Sequence, residues 1–475
     1  MAYPEWVERE RRPGTNISCT RGKYYLYEVT SVWNPEKKRA QKKTGKYLGR
    51  ITEDGLIPPK PKKVEIAAGI STKEYGASSF LNNVGKELHE KLQEYFPEDA
   101  DRIFTLAVLR VIEKCPFKRV SFLYERSFMS EYCKNLAFSP SSLSEFLERL
   151  GTKRMQLSGF MKEQLSKEQY ILFDGTNIIS NSEKMEINRL GYNSHRIYDP
   201  QINLLYAFST SDHKPGYYRV LPGNIRDIAA FKQCVDECGI KDVVVIADKG
   251  FGSESNFQML EENDLQYIVP LKRNNSLIQR EKLTTGSKAD FDGHFMFHDR
   301  VIWYYSYILD GKQIIVYLDS DLQNKEEKDY IRRIEENCED YSEAGFMEKQ
   351  FYFGTIAFRT NISDTPEKLF QLYKTRGEIE QSFDFLKNIL EQDHTYLQNA
   401  YSVEAWAFIN HISLLLVYEI YHKLRSAGLL SKYSVDDFVM YLKYIHAVKS
   451  NNSWVVGEIT TKTQKLLDKL NLHIT

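Results

Sequence analysis

The alternation of apolar and polar residues changes several times along the chain. Residues 21–50 alternate aromatic or aliphatic residues with polar ones on either side of the turn-like NPEKK, which predicts a small twisted sheet. The following segment, GLIPPKPKK, contains three prolines and three lysines, a composition typical of a linker. We therefore expect a β-rich N-terminal module over residues 1–65.

A helical period replaces this alternation in residues 78–168. Apolar residues recur at helical spacing in FLNNVGKELHEKLQEYF and DRIFTLAVLRVIEKC. In PSSLSEFLERL, Ser142 precedes Glu145 by three residues, which is the spacing of an N-terminal capping box. These patterns predict a helical domain over residues 66–168.

Short apolar runs begin at residue 169, namely YILFDGTNIIS, INLLYAFST, YYRVLPG and DVVVIAD. They predict an α/β layer with a buried sheet over residues 169–395. A β-rich block lies inside it at about 273–350, where VIWYYSYILDGKQIIVYLDS predicts a hairpin turning at Asp310 and Gly311. From Pro366 the period is helical almost to the end, so we expect a helical C-terminal region over residues 396–475.

Length and composition are those of a folded protein of about three domains. The most apolar late stretch, 406–424, contains Asn410, His411 and Glu419, which favours a buried core helix over a membrane span. Six cysteines lack zinc-ligand spacing, and the charged N-terminus lacks the apolar run of a signal peptide. We expect a cytoplasmic protein with no membrane role.

Charge is unevenly distributed, although the formal net charge of the chain is only -1. Residues 1–63 contain 15 lysines and arginines against 7 acidic residues, so their net charge is +8 and the remainder carries about -9. If the partner is DNA, this excess predicts phosphate contacts from Arg39, Lys42, Lys43 and Lys46.

Two aspartates close apolar runs. Asp174 ends YILFD, and Asp248 ends VVVIAD. A carboxylate at the carboxyl end of a buried strand is held rigidly yet open to a ligand, and two on adjacent strands can share divalent ions. The alternative for each aspartate alone is a turn or a helix cap.

A third acid stands in LFQLYKTRGEIEQSFDFLKNIL. Its residues Tyr373, Arg376, Glu380 and Lys387 lie 3, 4 and 7 apart, which would place them on one stripe of a helix. The alternative is a surface ion-pair row, since Arg376 and Glu380 are an i,i+4 pair. Three carboxylates suit Mg²⁺, and two such ions are what attack on a phosphodiester requires. Arg376, Lys387 and Tyr373 can hold neighbouring phosphates.

These residues resemble those of the DDE transposases of bacterial insertion sequences, in the group with a Tyr-Arg-Glu-Lys signature. The resemblance covers about residues 170–395, with Lys249 standing where Arg is more common. Its matching segments are DGT at 174–176, ADKGF at 247–251, the four signature residues, GYNSHRIYDPQ at 191–201 and LPGN with Asp227 at 221–227.

The resemblance implies an α/β fold with an RNase H-like catalytic core interrupted by a β-rich insertion, flanked by N-terminal β-rich and helical domains and a helical C-terminus. The separation of 132 positions from Asp248 to Glu380 leaves room for the insertion. It also implies Asp174, Asp248 and Glu380 as the catalytic metal ligands, with two Mg²⁺ ions that Mn²⁺ is able to replace.

The expected partners follow from the same resemblance. They are double-stranded DNA cut at terminal inverted repeats, often through a hairpin, a target DNA, and a second copy of the chain in a homodimeric synaptic complex. Specific recognition of the DNA ends is assigned, as a hypothesis, to residues 1–168. The setting would be the bacterial cytoplasm, with the protein on the nucleoid when bound to DNA. Because an aromatic residue of the insertion handles a flipped base in relatives, Trp303 is our candidate for that role; ordinary sheet packing is the alternative.

Two other functions stay open at this point. One is an RNase H-like nuclease that uses water and never transfers strands. The other is a catalytically inactive DNA-binding relic of a transposase. The basic N-terminal module and the phosphate-holding cations favour transposition over the first, and the three acids favour an active enzyme over the second.

Overall fold

The computed structural model describes residues 3–35, 37–59, 70–114, 116–165, 171–192, 198–210, 212–224, 234, 237, 244–246, 254–391, 394–450 and 453–474. The chain forms two compact units, Met1–Ile70 and Ser71–Thr475. Each unit has its own cluster of buried apolar side chains.

The first unit is a small antiparallel sheet with a short helix. The sheet predicted for residues 21–50 is present, with strand order β1-β2-β3-β4. Among the described residues, its buried core consists of Val7, Ile17, Leu26 and Ile51, which cluster near one end of the longest strands. The elements are α1 (Glu5–Glu8), β1 (Thr15–Thr20), β2 (Lys23–Asn34), β3 (Arg39–Thr52) and β4 (Gly55–Ile57).

The second unit opens with a strand, β5 (Ser71–Glu74), followed by helices. The helical period predicted these helices correctly, but the proposed cap of one was wrong. Pro140 begins that helix and the Ser139 hydroxyl accepts from the Ser142 backbone N–H, so Ser142 lies inside the first turn. The helices are α2 (Gly76–Val84), α3 (Lys86–Tyr95), α4 (Ala100–Ile112), α5 (Val120–Arg126), α6 (Met129–Tyr132), α7 (Pro140–Gly151) and α8 (Arg154–Leu165).

A five-stranded sheet follows the helices. Its order is β16-β6-β8-β7, and β9 also pairs with β8; β16 is parallel to β6 and the other pairs are antiparallel. The strands are β6 (Ile171–Ser180), β7 (Arg189–Tyr192), β8 (Tyr198–Ser209), β9 (Lys214–Pro222) and β16 (His394–Thr395).

A six-stranded sheet has the order β10-β11-β15-β14-β13-β12, and β10 lies against β6 of the five-stranded sheet. The predicted hairpin is confirmed, because Leu309 pairs with Lys312 and both turn residues, Asp310 and Gly311, have positive φ. The strands are β10 (Val244–Ile246), β11 (Gln266–Pro270), β12 (Gly293–Phe297), β13 (Arg300–Leu309), β14 (Lys312–Asp319) and β15 (Thr355–Thr360). The helices between them are α9 (Glu254–Glu262), α10 (Glu281–Thr284), α11 (Ser320–Glu335) and α12 (Glu343–Lys349).

The C-terminal region contains three helices, as its period predicted, and also a β-hairpin that the prediction missed. A hairpin formed by β17 (His446–Ser450) and β18 (Ser453–Val456) pairs with β5 in a three-stranded sheet, which also corrects the helical prediction for residues 71–74. These strands are too short for alternation to reveal them. The helices are α13 (Pro366–Lys374), α14 (Arg376–Asp384), α15 (Ala400–Ser426), α16 (Val435–Lys443) and α17 (Thr461–Lys469).

Helix α15 runs through the core of the second unit. It is long and apolar enough, by length and composition, to cross a membrane, but 83% of its most apolar window is buried inside the protein. The interpretation of residues 406–424 as a buried core helix is therefore confirmed. The helix packs against α4 and α7 on one side and contacts β9 on another, joining the helical layer to the five-stranded sheet.

Candidate active site

Strand β6 carries the first acid of the candidate site. Ile171, Leu172 and Phe173 are buried, and the strand then becomes partly exposed from Asp174 onward. Asp174 pairs with Tyr206 of β8 and is the fourth of ten strand residues, so the prediction that it closes the strand is wrong. Its Oδ1 accepts a hydrogen bond from the Gly175 backbone N–H at 2.8 Å. Asp174 is therefore the first residue of β6 that is not buried, and its backbone is fixed by pairing with β8.

The segment with the Tyr-Arg-Glu-Lys residues is helical but not one regular helix. Helix α13 ends at Lys374, α14 begins at Arg376, and a π-helical turn spans Phe385–Ile389. Thr375 lies at the first junction, where its hydroxyl donates to the Leu372 carbonyl at 2.6 Å. The single stripe predicted from a uniform 3.6-residue period is therefore wrong, because the π turn shifts the angular position of Lys387.

Arg376 brings two of the predicted acids together. Its Nη2 lies 3.7 Å from Asp174 Oδ2 and 3.4 Å from Glu380 Oε1. The Arg376 side chain is only 16% exposed, whereas the side chains of Asp174 and Glu380 are 25% and 62% exposed. A shielded guanidinium between acids from a strand and a helix differs from the exposed ion-pair row considered as the alternative.

The third predicted acid, Asp248, lies outside the described residues, as do Lys249 and Asp227. The strand predicted ahead of Asp248 is present as β10, whose three residues Val244–Ile246 are all buried. Strand β10 lies against β6, the strand that carries Asp174. The position of Asp248 stays a prediction.

Tyr373 and Lys387 lie on different parts of the broken segment. The ring of Tyr373 packs on Phe358 of β15, with centroids 4.4 Å apart, so it contacts the six-stranded sheet. Lys387 is half-buried within the π turn, between the buried side chains of Leu386 and Ile389. The proposed phosphate contacts of both residues stay predictions.

Trp303 lies in β13, opposite His294 of β12 and Leu318 of β14. Its ring is half-buried, with its centroid 4.9 Å from that of His294, and Lys288 Nζ lies 5.6 Å from it. This environment is partly sheet packing, the alternative weighed for the residue. A cation over the ring would also suit a surface that meets nucleic acid, and the base-handling role stays a prediction.

The donor chemistry of the site fits a hard divalent cation. Asp174 and Glu380 offer carboxylate oxygens, the ligands that Mg²⁺ prefers, and their shared guanidinium shows that negative charge gathers there around a cation. Sequence reasoning missed a second group, His89, Asp101 and Cys133, whose ligand atoms lie within 4.8 Å of one another. Burial raises the pKa of Cys133 to about 11, so the thiol is protonated and this group does not resemble a magnesium site.

Similarity to known proteins completes the description. A model of the transposase DDE domain matches residues 165–416, more than half of the 475 residues. None of the curated proteins matches the chain. Among solved structures, the cryo-EM structure of a piggyBac transposase synaptic complex with hairpin DNA is similar at a TM-score of 0.37 and 12% identity, over 72% of this chain and 70% of that one. The family match alone is sufficient for assignment: the chain belongs to the DDE transposase family.

Proposed function

We propose that this protein is a DNA transposase of a bacterial insertion sequence, in the group with the Tyr-Arg-Glu-Lys signature. It would act in the cytoplasm, cut double-stranded DNA at the terminal inverted repeats and join those ends to a target DNA. The observation that carries the proposal is the pair of acids, Asp174 and Glu380, gathered around Arg376. We further propose that β6, β8, β9, β10 and β11 form an RNase H-like core and that β12–β14 belong to its insertion.

Asp174, Glu380 and Asp248 are proposed to hold two Mg²⁺ ions, which Mn²⁺ is able to replace. When bound, such ions lower the pKa of the attacking water or hydroxyl and stabilise the leaving oxygen of the phosphodiester. The carboxylates themselves fix the place of this charge, one on a strand and one on a helix. Pairing with Tyr206 of β8 fixes the backbone from which the Asp174 side chain projects.

Arg376 has two roles in this proposal. Without DNA it balances the charge of Asp174 and Glu380, and with DNA its planar fork can hold a phosphate oxygen next to them. Lys387 and the Tyr373 hydroxyl are proposed to contact neighbouring phosphates of the same strand. Trp303 is proposed to stack on a base displaced from the cut end.

A homodimer bridging two DNA ends is proposed as the active assembly. The alternatives are a nuclease without strand transfer and an inactive DNA-binding relic. Joining of a cut end to a second duplex would exclude the nuclease, and metal-dependent cleavage would exclude the relic.

The decisive experiment is Mg²⁺-dependent cleavage of a DNA fragment that ends in the element's own repeat. Glu380→Gln keeps the size of the side chain and removes its charge. Since a catalytic metal contributes several kcal/mol and each ~1.4 kcal/mol is tenfold in rate, we expect at least about a 100-fold loss of cleavage. Glu367→Gln is the matched control, an exposed glutamate of the neighbouring helix α13.

The outcomes separate the possibilities. Cleavage lost in Glu380→Gln alone, with DNA binding retained, supports the three-carboxylate mechanism. Equal cleavage by wild type and Glu380→Gln would disprove the site assignment. Inactivity of wild type, with DNA still bound, would favour the relic.

A further inference from the structure

The distal half of the β2–β3 hairpin projects beyond the rest of the first unit. Strand β1 pairs with β2 only as far as Glu28, and the last contact is from the Val29 backbone N–H to the Gly14 carbonyl at 2.7 Å. Beyond that point β2 and β3 pair only with each other, from Val29 and Thr44 to Asn34 and Arg39. We call residues 29–44 the arm.

No described residue of the arm belongs to a buried core. All four core residues of the unit lie outside it, and most described arm side chains are exposed on both faces of the ribbon. A two-stranded ribbon of this kind is at best marginally stable in water. Its free end is nevertheless ordered by side chains, because Asn34 donates to Gln41 at 3.1 Å and accepts from the Lys37 backbone N–H at 3.1 Å. The ribbon is therefore pre-shaped at its tip without being buried.

Two large apolar side chains are exposed near this tip. Trp33 is 63% exposed and Val32 is 52% exposed, and they point to opposite faces of the ribbon because they are consecutive in a strand. Trp33 lies opposite Ala40, whose small side chain leaves the indole uncovered. Apolar residues on an exposed ribbon are a liability for association unless a partner covers them.

Positive charge surrounds these apolar residues. In the sequence of the arm there are five basic residues and one acidic residue, Glu36. Lys42 shares a face with Trp33, and Lys43 shares the other face with Val32, as their cross-strand pairing requires. Lys37, Lys38 and Arg39 lie at the tip and are also exposed. Each face thus combines an apolar side chain with cations. Such a surface is complementary to a polyanion that has apolar groups between its charges.

Resting on the proposed function, we propose that the arm enters the major groove of duplex DNA and grips it by both faces. The six β2 residues of the arm span roughly 20 Å at ~3.3 Å per residue. The major groove is about 12 Å wide and about 8.5 Å deep, which admits a two-stranded ribbon. Lys42 and Lys43 then reach the phosphates on the two sides of the groove, and Trp33 contacts base edges or thymine methyl groups at its floor.

The test is the affinity of the full chain for a short duplex over a range of salt concentrations. Replacing Lys42 and Lys43 together by Ala should reduce the slope of log K against log [salt] by up to about 1.8, at about 0.9 for each phosphate that the variant no longer neutralises. Replacing Lys465 and Lys469 of α17 by Ala is the control, because it removes the same charge from exposed positions elsewhere. The control should leave the slope within error of wild type.

Trp33 is tested separately. Trp33→Ala should weaken duplex binding by about tenfold at one salt concentration with little change in slope, whereas Trp33→Phe should retain most of the affinity. Because Trp33 is mostly exposed, neither change should alter the circular dichroism spectrum of the chain. Protection of guanine N7, which faces the major groove, from methylation should be seen with wild type and should disappear when Lys42 and Lys43 are replaced.

Several results would disprove the proposed DNA-binding role of the arm. These are an unchanged slope in the lysine variant, an equal drop in the control, unprotected guanine N7, or tighter binding of single strands than of duplex, which would indicate base stacking instead. If wild type cleaves its DNA end and the arm variants bind that end as tightly as wild type, the role of the arm is disproved and the proposed function stands. A wild-type chain that binds no DNA would disprove the arm and the proposed function together.

Discussion

Two helical regions that follow one another in the chain are built in opposite ways. The signature segment, residues 366–389, consists of two nine-residue helices and a π turn, while α15 is a single helix of 27 residues. They pack together, since the hydroxyls of Ser382 and Tyr418 are 2.6 Å apart and the ring of Phe385 lies 5.4 Å from that of Tyr418. One region is irregular and carries charges toward solvent, and the other is regular and buried.

The difference separates stability from chemistry. Because α15 is mostly buried, replacing one of its buried residues disrupts core packing. Arg376 and Glu380, in contrast, are charged side chains that are partly exposed to solvent. The breaks at Thr375 and in the π turn allow the segment to aim side chains that a regular helix would place elsewhere. Substitutions of the buried residues of α15 should therefore change the free energy of unfolding, and substitutions at the acids should change cleavage.

The largest expected effect on stability is that of Phe408→Ala. Phe408 is fully buried in α15, and its ring lies 5.5 Å from those of Phe96 and Phe160. Removing the ring leaves a cavity beside Phe96 and Phe160, so the free energy of unfolding should fall by about 3–5 kcal/mol. Urea unfolding of the full chain, followed by circular dichroism, measures the loss.

Glu419→Ala is the matched control for that change. Glu419 lies in the same helix but is exposed, so its replacement should alter the free energy of unfolding by less than about 0.5 kcal/mol. Similar losses for the two variants would mean that α15 is not the stabilising element described above.

His411 gives α15 an expected dependence on pH. It is fully buried between Tyr206 and Tyr218, and burial lowers its pKa from 6.5 to about 3. As the pH falls below about 6.5, the unfolded chain binds a proton that the folded chain excludes. The free energy of unfolding should therefore decrease towards pH 3, by up to about 1.4 kcal/mol per pH unit from this residue.

His411→Phe keeps a ring at the position and removes the titration. The difference between wild type and this variant should be constant above about pH 7 and should change between about pH 3 and 6.5, where the linkage operates. Parallel pH profiles over the acidic range would show that His411 does not titrate differently in the folded and unfolded chains.

Local pattern predicted those parts of the fold that depend on neighbouring residues. The hairpin at Asp310–Gly311 and the buried helix α15 each have a period that runs through the whole element. The sheet of β5, β17 and β18 was missed because its strands are four or five residues long and because β5 is separated from its partner by most of the chain. A pattern of neighbouring residues cannot predict pairing between strands that lie so far apart in the sequence.

The candidate site divides in the same way. The contact between Arg376 and Glu380 follows from i,i+4 spacing, whereas the contact between Arg376 and Asp174 depends on how α14 lies against β6. The position of Asp174 within its strand was missed because an Asp-Gly pair ordinarily signals a turn. The π turn was missed because a uniform helical period was assumed, and the turn itself, Phe385–Ile389, contains no glycine or proline to mark a break.

The smallest expected effect concerns Gly377, which lies between Arg376 and Glu380 in α14. Its added Cβ would meet no heavy atom within 4 Å, and its φ is not in the left-handed region. Because glycine loses more backbone entropy than alanine when a helix forms, Gly377→Ala should raise the free energy of unfolding by about 0.5–1 kcal/mol. Urea unfolding under the conditions used for Phe408→Ala measures the gain.

Gly354→Ala supplies the opposing control for this last change. Gly354 has a φ of +69°, and a Cβ there would lie 2.5 Å from the Asp319 carbonyl oxygen, so the same substitution should lower the free energy of unfolding. Opposite signs for the two variants would show that α14 is a helix formed in spite of its glycine. A loss at both positions would mean that Gly377 needs a conformation that alanine resists, and the signature segment would then be strained at the residue between its arginine and its acid.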